Sequence, residues 1–334
     1  MEMIARPGRR SGTDRMMKLQ MIAWLLNALI IGVSSAADVI LTIRPEGKVF
    51  EEAYHGLEEE LRGGFDMVEH VIDKGYSAEE FAGLIRSRQP KLVVLMDNTA
   101  IALIRKYQST LPNDASLIPS VAIMGVMIRS AIADIRNACG ISYEIPIVTS
   151  VVSLRSVLGT PIKKVGVVHR EFLTDFLERN RKFCKREGIE IIGVALPDKS
   201  DSYGKQVNKA LKELNDMEVD ALWVPNDNAL LQPDIIKNAW MRMVPKYKLP
   251  VIVGVEVLVN PQLNFGTFAV LPDHVSLGSQ AAAMIFDIRD NNWIGEEGQV
   301  DPPLAIYKII NLPQAKRTFN VSGEKLKSVD KILK

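Results

Sequence analysis

Three clusters of polar side chains in this chain follow directly on apolar runs, and each has the chemistry to hold a small solute. Asp97-Asn98-Thr99 comes after the run 92–96. Asn98 and Thr99 open a helix, whose unpaired N–H groups and positive dipole end suit a carboxylate. The same residue types are also ordinary N-caps, and the residues alone leave both readings open. Asn226-Asp227-Asn228 follows an apolar run carrying Trp223. Three polar side chains at one turn can bond an amine or hydroxyls, although turn chemistry by itself also favours Asn and Asp. His169-Arg170-Glu171 follows 164–168. Arg170 has a fork for two-point pairing with a carboxylate. His169 and Glu171 resemble an acid–base pair, and the competing reading of the triplet is an ion pair that closes a cleft. Arg44, Met124 beside Gly125, and Glu256, a partner for a ligand ammonium, complete the set.

Most enzyme classes lack their signatures here. No G-x-G-x-x-G, Walker or G-x-S-x-G sequence occurs. The 2 Cys and 4 His show no metal-ligand spacing, and no activated nucleophile accompanies His169. No cofactor and no metal are expected. Cys139 and Cys184 fall in different halves of the chain and read as two buried thiols rather than a bridge. Trp223 reads as core, and Arg129 as a solvated helix residue.

The elements that position these residues alternate regularly. Strands are expected at 38–43, 67–72, 92–96, 121–127 and 140–145, and again at 164–168, 189–196, 219–224, 250–255, 265–271 and 304–312. Stretches with apolar residues at helical spacing lie between them, among them Phe172, Leu173, Phe176, Leu177, Phe183 and Cys184 on one face. Asp273 reads as the cap of a helix reaching about 288. The rhythm restarts after Pro161. Two doubly wound α/β lobes follow, each a parallel sheet covered by helices on both faces. Such sheets place ligands at the carboxyl ends of their strands, where the three clusters stand. At 334 residues the chain suits two cores rather than one.

The N-terminus reads as an address. Arg6, Arg9, Arg10, Arg15 and Lys18 precede an apolar run at 19–33, and Ser34-Ser35-Ala36 supplies the small residues of a cleavage site. A signal peptide over 1–36 is expected, with Met16 or Met17 as alternative starts and an uncleaved anchor as the alternative fate. No Cys stands near the cleavage point to carry a lipid, so the periplasm is the expected location. Net charge is +1 with no basic run elsewhere, which argues against nucleic acid as a partner.

At this point the chain resembles the substrate-binding proteins of ATP-binding-cassette importers, in the branch with tryptophan- and tyrosine-type binding proteins. The resemblance is carried by 92–102, 164–168, 219–228, 277–282 and 311–315, in that order and spacing. It implies a type I periplasmic binding protein fold with three hinge crossings, near Tyr143, Pro261 and Val300. Lobe one would be 37–143 plus 263–293, and lobe two 144–262 plus 300–334. It also implies a monomer that captures an amino acid or small organic acid by hinge closure. The loaded protein would pass its ligand to an importer permease or, alternatively, dock on a membrane sensor. An enzyme using His169 and Glu171 is a further alternative. By position, the implied ligand contacts are Asn98, Thr99, Asn226, Asp227 and the loop around Glu256. The chain departs from the family pattern at Met124-Gly125, at Asp97-Asn98 and at His169-Arg170-Glu171, so its cleft chemistry is altered.

Overall fold

An apolar run with no polar interruption cannot lie with one face in water, and such runs become the inner strands of this protein. All five residues of Leu92–Met96 are fully buried. The computed structural model describes residues 37–334 except 113, 318, 320 and 322, so the expected signal peptide lies outside the described residues.

In the first half β1 (Val39–Pro45), β2 (Asp66–Ile72), β3 (Leu92–Met96), β4 (Ser120–Ile123) and β5 (Ala138–Ile141) alternate with α1 (Lys48–Leu61), α2 (Ala78–Arg88), α3 (Asp97–Ser109) and the short α4 (Ile128–Ala131). The second half runs α5 (Ile147–Leu158), β6 (Lys164–Arg170), α6 (Thr174–Arg186), β7 (Glu190–Leu196), α7 (Tyr203–Asp216) and β8 (Ala221–Val224). It continues with α8 (Pro233–Ile235), a π-helical turn at Ile236–Trp240, α9 (Met241–Tyr247), β9 (Val251–Val253) and β10 (Phe268–Pro272). The chain closes with α10 (His274–Asp290), β11 (Val300–Asp301), β12 (Ile306–Asn311), α11 (Leu312–Lys316) and β13 (Lys331–Leu333).

The strands form two sheets. One is ordered β2-β1-β3-β4-β5-β11 and is parallel throughout. The other is ordered β7-β6-β8-β9-β10-β12-β13 and is parallel except for the antiparallel pair β10–β12. Each sheet has a core on both faces. In the first half α1 and α10 cover one face, and α2, α3 and α4 the other. In the second, α7 and α9 cover one face, and α5 and α6 the other. Cys139 in β5 and Cys184 in α6 are buried free thiols; burial pushes the first up to about 12 and the second to about 11.

The chain passes between the sheets three times. It leaves the carboxyl end of β5 at Ile141, so the strand expected over 140–145 stops early and 142–145 becomes a connection. The passage back comes at Pro272–Asp273 rather than near Pro261, because Phe268–Pro272 is buried throughout and pairs with β9 and β12 in the second sheet. The third passage follows Asp301, after β11 has paired with β5. Backbone bonds tie the passages together: Ser142 donates to the Asp301 carbonyl at 2.8 Å, and Asp273 to that of Ala305 at 3.1 Å. Asp273 also caps α10, accepting from the Ser276 N–H at 2.8 Å.

Two of these passages start from the carboxyl ends of β5 and β10, so both sheets turn those ends toward the junction. Among the described residues no helix or strand of the first half packs broadly against one of the second. Nor is any helix there long and apolar enough to cross a membrane.

Candidate functional site

Each side chain singled out in the sequence sits at or just beyond the carboxyl end of a strand, and most already hold a partner. Arg44, near the end of β1, is buried. Its Nε donates to the Glu69 carboxylate on β2, and its Nη1 to the Pro45 carbonyl at 3.1 Å. Its charge is therefore met within the first half.

After β3 the backbone turns through a left-handed Asp97 (φ 84°), whose carboxylate accepts the Thr99 N–H at the start of α3. One of the amides expected for a ligand anion is thus taken by the chain's own acid. Asn98 reaches across to the loop after β4. Its Nδ2 donates to the Val126 carbonyl at 2.9 Å, and its Oδ1 accepts the Val126 N–H at 2.6 Å. This two-way bond supports a loop in which Met124 (φ 60°) and Met127 (φ 52°) are both left-handed. Those angles end the strand expected over 121–127 at Ile123, because they break its ladder. Gly125 between them admits the Asn98 amide: a Cβ there would lie 3.1 Å from Asn98 Oδ1. Met124 itself is largely buried.

The same loop is fastened to the first passage. Met127 N–H donates to Glu144 Oε1 at 2.9 Å, and Ser142 Oγ lies 3.2 Å from Oε2. Glu144 is buried, and desolvation raises its carboxyl above the usual range against the lowering effect of the Met127 bond. On the neighbouring passage His274 stacks on Tyr143 (centroids 6.1 Å, 12°), its Nε2 3.1 Å from the Tyr143 hydroxyl and its Nδ1 3.1 Å from Glu52 Oε2. Tyr143 was expected only as a marker of the first crossing, and Glu144, His274 and Glu52 were not singled out in the sequence.

In the second half Arg170 ends β6 with its fork filled. Nε donates to Asp227 Oδ2 at 2.7 Å and Nη2 to Oδ1 at 2.8 Å, while Nη1 reaches the Asp198 carbonyl at 2.9 Å. The bond to Asp227 raises the guanidinium's pKa. The two-point carboxylate expected from a ligand is supplied by Asp227, whose side chain is fully buried and also accepts the Ala229 N–H at 2.9 Å. His169 is buried on the other side of the strand with Nδ1 2.9 Å from the Arg170 carbonyl, and burial lowers its pKa. Glu171 is exposed in a short 3-10 turn. Among the described residues no carboxylate pairs with His169, so the acid–base pair with Glu171 is not assembled.

Asn226 packs against Gly254, where any Cβ would come within 2.7 Å of its amide, and its buried Oδ1 has no partner among the described residues. Asn228 is exposed. Glu256 is exposed and bonded by Lys331 Nζ at 2.5 Å, which raises the lysine's pKa. Trp223 is buried against Phe176 (centroids 5.8 Å), as a core residue. Phe172 and Phe183 leave the apolar helix face expected of them, exposed at 42% and 52%. The Arg170 guanidinium lies 4.6 Å over the Phe172 ring. The exposed Phe172 ring and the polar side chains at these strand ends can stack on and hydrogen-bond a small solute.

No family model matches the chain, and no curated protein matches it. Solved structures do. A chain from Streptococcus pneumonia described as an ABC domain in complex with L-Trp is 16% identical, with 90% of this chain and 100% of that one covered at a TM-score of 0.57. The ligand-free, open structure of a substrate binding protein with adhesive properties from Clostridium difficile is 13% identical, with 88% and 98% covered at a TM-score of 0.61. The fold is that of the type I periplasmic binding proteins. A solute binding protein of an ABC transporter from R. palustris, in complex with 4-hydroxybenzoate, extends the set at 12% identity, 84% of each chain and a TM-score of 0.51.

Proposed function

We propose that this protein is an extracytoplasmic solute-binding protein of an ABC importer, holding one small molecule between the strand ends of its two halves. The observation that carries this reading is the junction itself. Two largely parallel sheets turn their carboxyl ends to it, three hydrogen-bonded passages cross it, and among the described residues no broad packing fills it. Similar structures hold L-Trp and 4-hydroxybenzoate, which supports an amino acid or small aromatic acid as the solute. The strand-end groups that would meet it are Asn98, Thr99 and Met124 from the first half and Asn226, Asn228 and Phe172 from the second, with Arg44, Arg170 and Asp227 shaping the walls and Glu256 at the rim. Periplasmic export through the basic and apolar leader, and an importer permease as partner, belong to the same proposal.

Capture works by population shift. A solute touching both halves only when they approach favours the closed arrangement, and about 5.5 kcal/mol of preference converts a mostly open population to a mostly closed one. A thermal-shift screen of amino acids and aromatic acids, starting with L-Trp and 4-hydroxybenzoate, identifies binders of the native state. Small-angle scattering with the strongest binder then reads closure. A fall in the radius of gyration at saturation is expected; tight binding with no compaction overturns the proposal.

A further inference from the structure

A second groove lies beside the strand-end cleft. It encloses about 580 Å³, a size suited to a small organic molecule. Both halves and two of the three passages line it, and none of the strand-end residues Arg44, Asn98, Thr99, Met124, Arg170, Asn226, Asp227, Asn228 or Glu256 does. Its walls are chiefly apolar, with Pro146, Val148, Phe176 and Phe183 on the side of the second half. Phe183 exposes half its surface there, although Leu177 and Cys184 of the same helix are buried.

Charge distinguishes this groove from the cleft. The cleft arginines Arg44 and Arg170 hold carboxylates of their own chain. Arg129, from the first half, and Arg179, from the second, line the groove and hold none among the described residues. Arg129 donates to the Val300 carbonyl at 2.8 Å, which orients its guanidinium on the passage. Among the described residues one acid lines the groove, Glu144, which is buried and turned to Met127 N–H and Ser142 Oγ, and burial favours its neutral form. The groove therefore combines an apolar wall with uncompensated positive charge contributed from both sides of the hinge.

We propose that this lateral groove between α4 and α5–α6 is a second binding site, for a small amphipathic anion whose apolar body lies along Phe176 and Phe183 and whose acid group meets Arg129 and Arg179. An arginine fork pairs well with a carboxylate, and such a bond gains strength beside an apolar wall. Because the groove is lined from both halves, its occupant biases the hinge independently of the solute in the cleft.

Octanoate and its uncharged counterpart octanamide test this on the full chain by isothermal titration. Saturable one-to-one binding of octanoate is expected, at least tenfold tighter than octanamide. Both arginines are exposed, so Arg129→Gln and Arg179→Gln leave the fold intact, which melting curves verify; the double variant is expected to lose at least tenfold in octanoate affinity. Phe183→Ser should weaken octanoate and octanamide alike. Absence of saturable octanoate binding, equal affinity for the two probes, or undiminished binding in the double variant overturns the site. Loss of octanoate binding in Asn226→Ala but not in the double variant also overturns it, by placing the anion in the cleft. Compaction with a cleft ligand is read separately, so the groove can fail while the transport reading stands, and the reverse.

Discussion

Arg170 and Asp227 meet in a two-point ion pair, 2.7 and 2.8 Å long, between the last residue of β6 and the loop after β8, 57 residues further along the chain. Asp227 is fully buried and Arg170 partly exposed, so the two sides of the pair are not equivalent. Arg170→Met strands a buried carboxylate that keeps, among the described residues, only the Ala229 N–H, and a loss of about 3 kcal/mol in urea unfolding is expected. The double variant Arg170→Met with Asp227→Leu should recover most of it, since replacing both partners by apolar groups of similar size is close to neutral. A double variant as unstable as the single one would mean that the carboxylate has other indispensable partners.

Asn98 fastens α3 to the left-handed loop after β4 through two hydrogen bonds. Asn98→Ala removes both and should destabilise the protein by about 1–2 kcal/mol. The freed loop carries Met124 of the cleft wall, so affinity for the cleft solute should fall more than tenfold; Met127 of the same loop also lines the lateral groove, so octanoate affinity should fall less. Calorimetry with each ligand separates the two effects.

What the sequence makes legible here is burial and rhythm. Runs such as Leu92–Met96 can only be inner strands, and their alternation with amphipathic stretches specifies two wound sheets. The positions of the passages are less legible. Phe268–Pro272 and the helix after it are both apolar, so only pairing with β9 and β12 shows that the chain returns at Asp273. The polar clusters could be found by the strand-end rule, but their partners could not. Nothing local announces that Arg170 meets Asp227, or that Asp97 turns its carboxylate onto Thr99. Phe172 illustrates a further limit. Helical spacing groups it with Leu177 and Cys184, yet the 3-10 turn Glu171–Leu173 shifts the register before α6 begins, and the ring emerges at the surface.

Gly56 on α1 and Gly278 on α10 bring the two helices into backbone contact. A Cβ at Gly56 would collide with the Val275 carbonyl, and one at Gly278 with that of Ala53. Neither obstacle is a flexible side chain, so Gly56→Ala and Gly278→Ala should each destabilise the first half by about 3 kcal/mol, the upper range for overpacking. Gly204, near the start of α7, has nothing within 4 Å of an added Cβ. Gly204→Ala should therefore leave stability unchanged or raise it by up to about 1 kcal/mol. Parallel melts of the three variants measure the contrast, and equal melting temperatures would remove the close helix contact as an explanation.

Glu144 makes stability depend on pH in a direction opposite to most carboxylates. Burial raises its folded pKa above the unfolded value, so the folded state binds its proton more tightly than the unfolded chain does. Its contribution is fully present below the unfolded pKa and is lost as pH rises through the folded one. Glu144→Gln keeps an acceptor for the Met127 N–H and mimics the protonated acid at every pH. The variant and the wild type should therefore unfold with nearly equal stability at the acid end. The wild type should then fall progressively behind the variant as pH rises, and the gap should level off once the carboxyl has fully ionised. Urea unfolding of both proteins from pH 4 to 8 reads the difference and cancels the titration of all other groups. A wild type that gains on the variant with rising pH would mean that the bonds from Met127 and Ser142 outweigh burial and that the carboxylate is the form the hinge prefers.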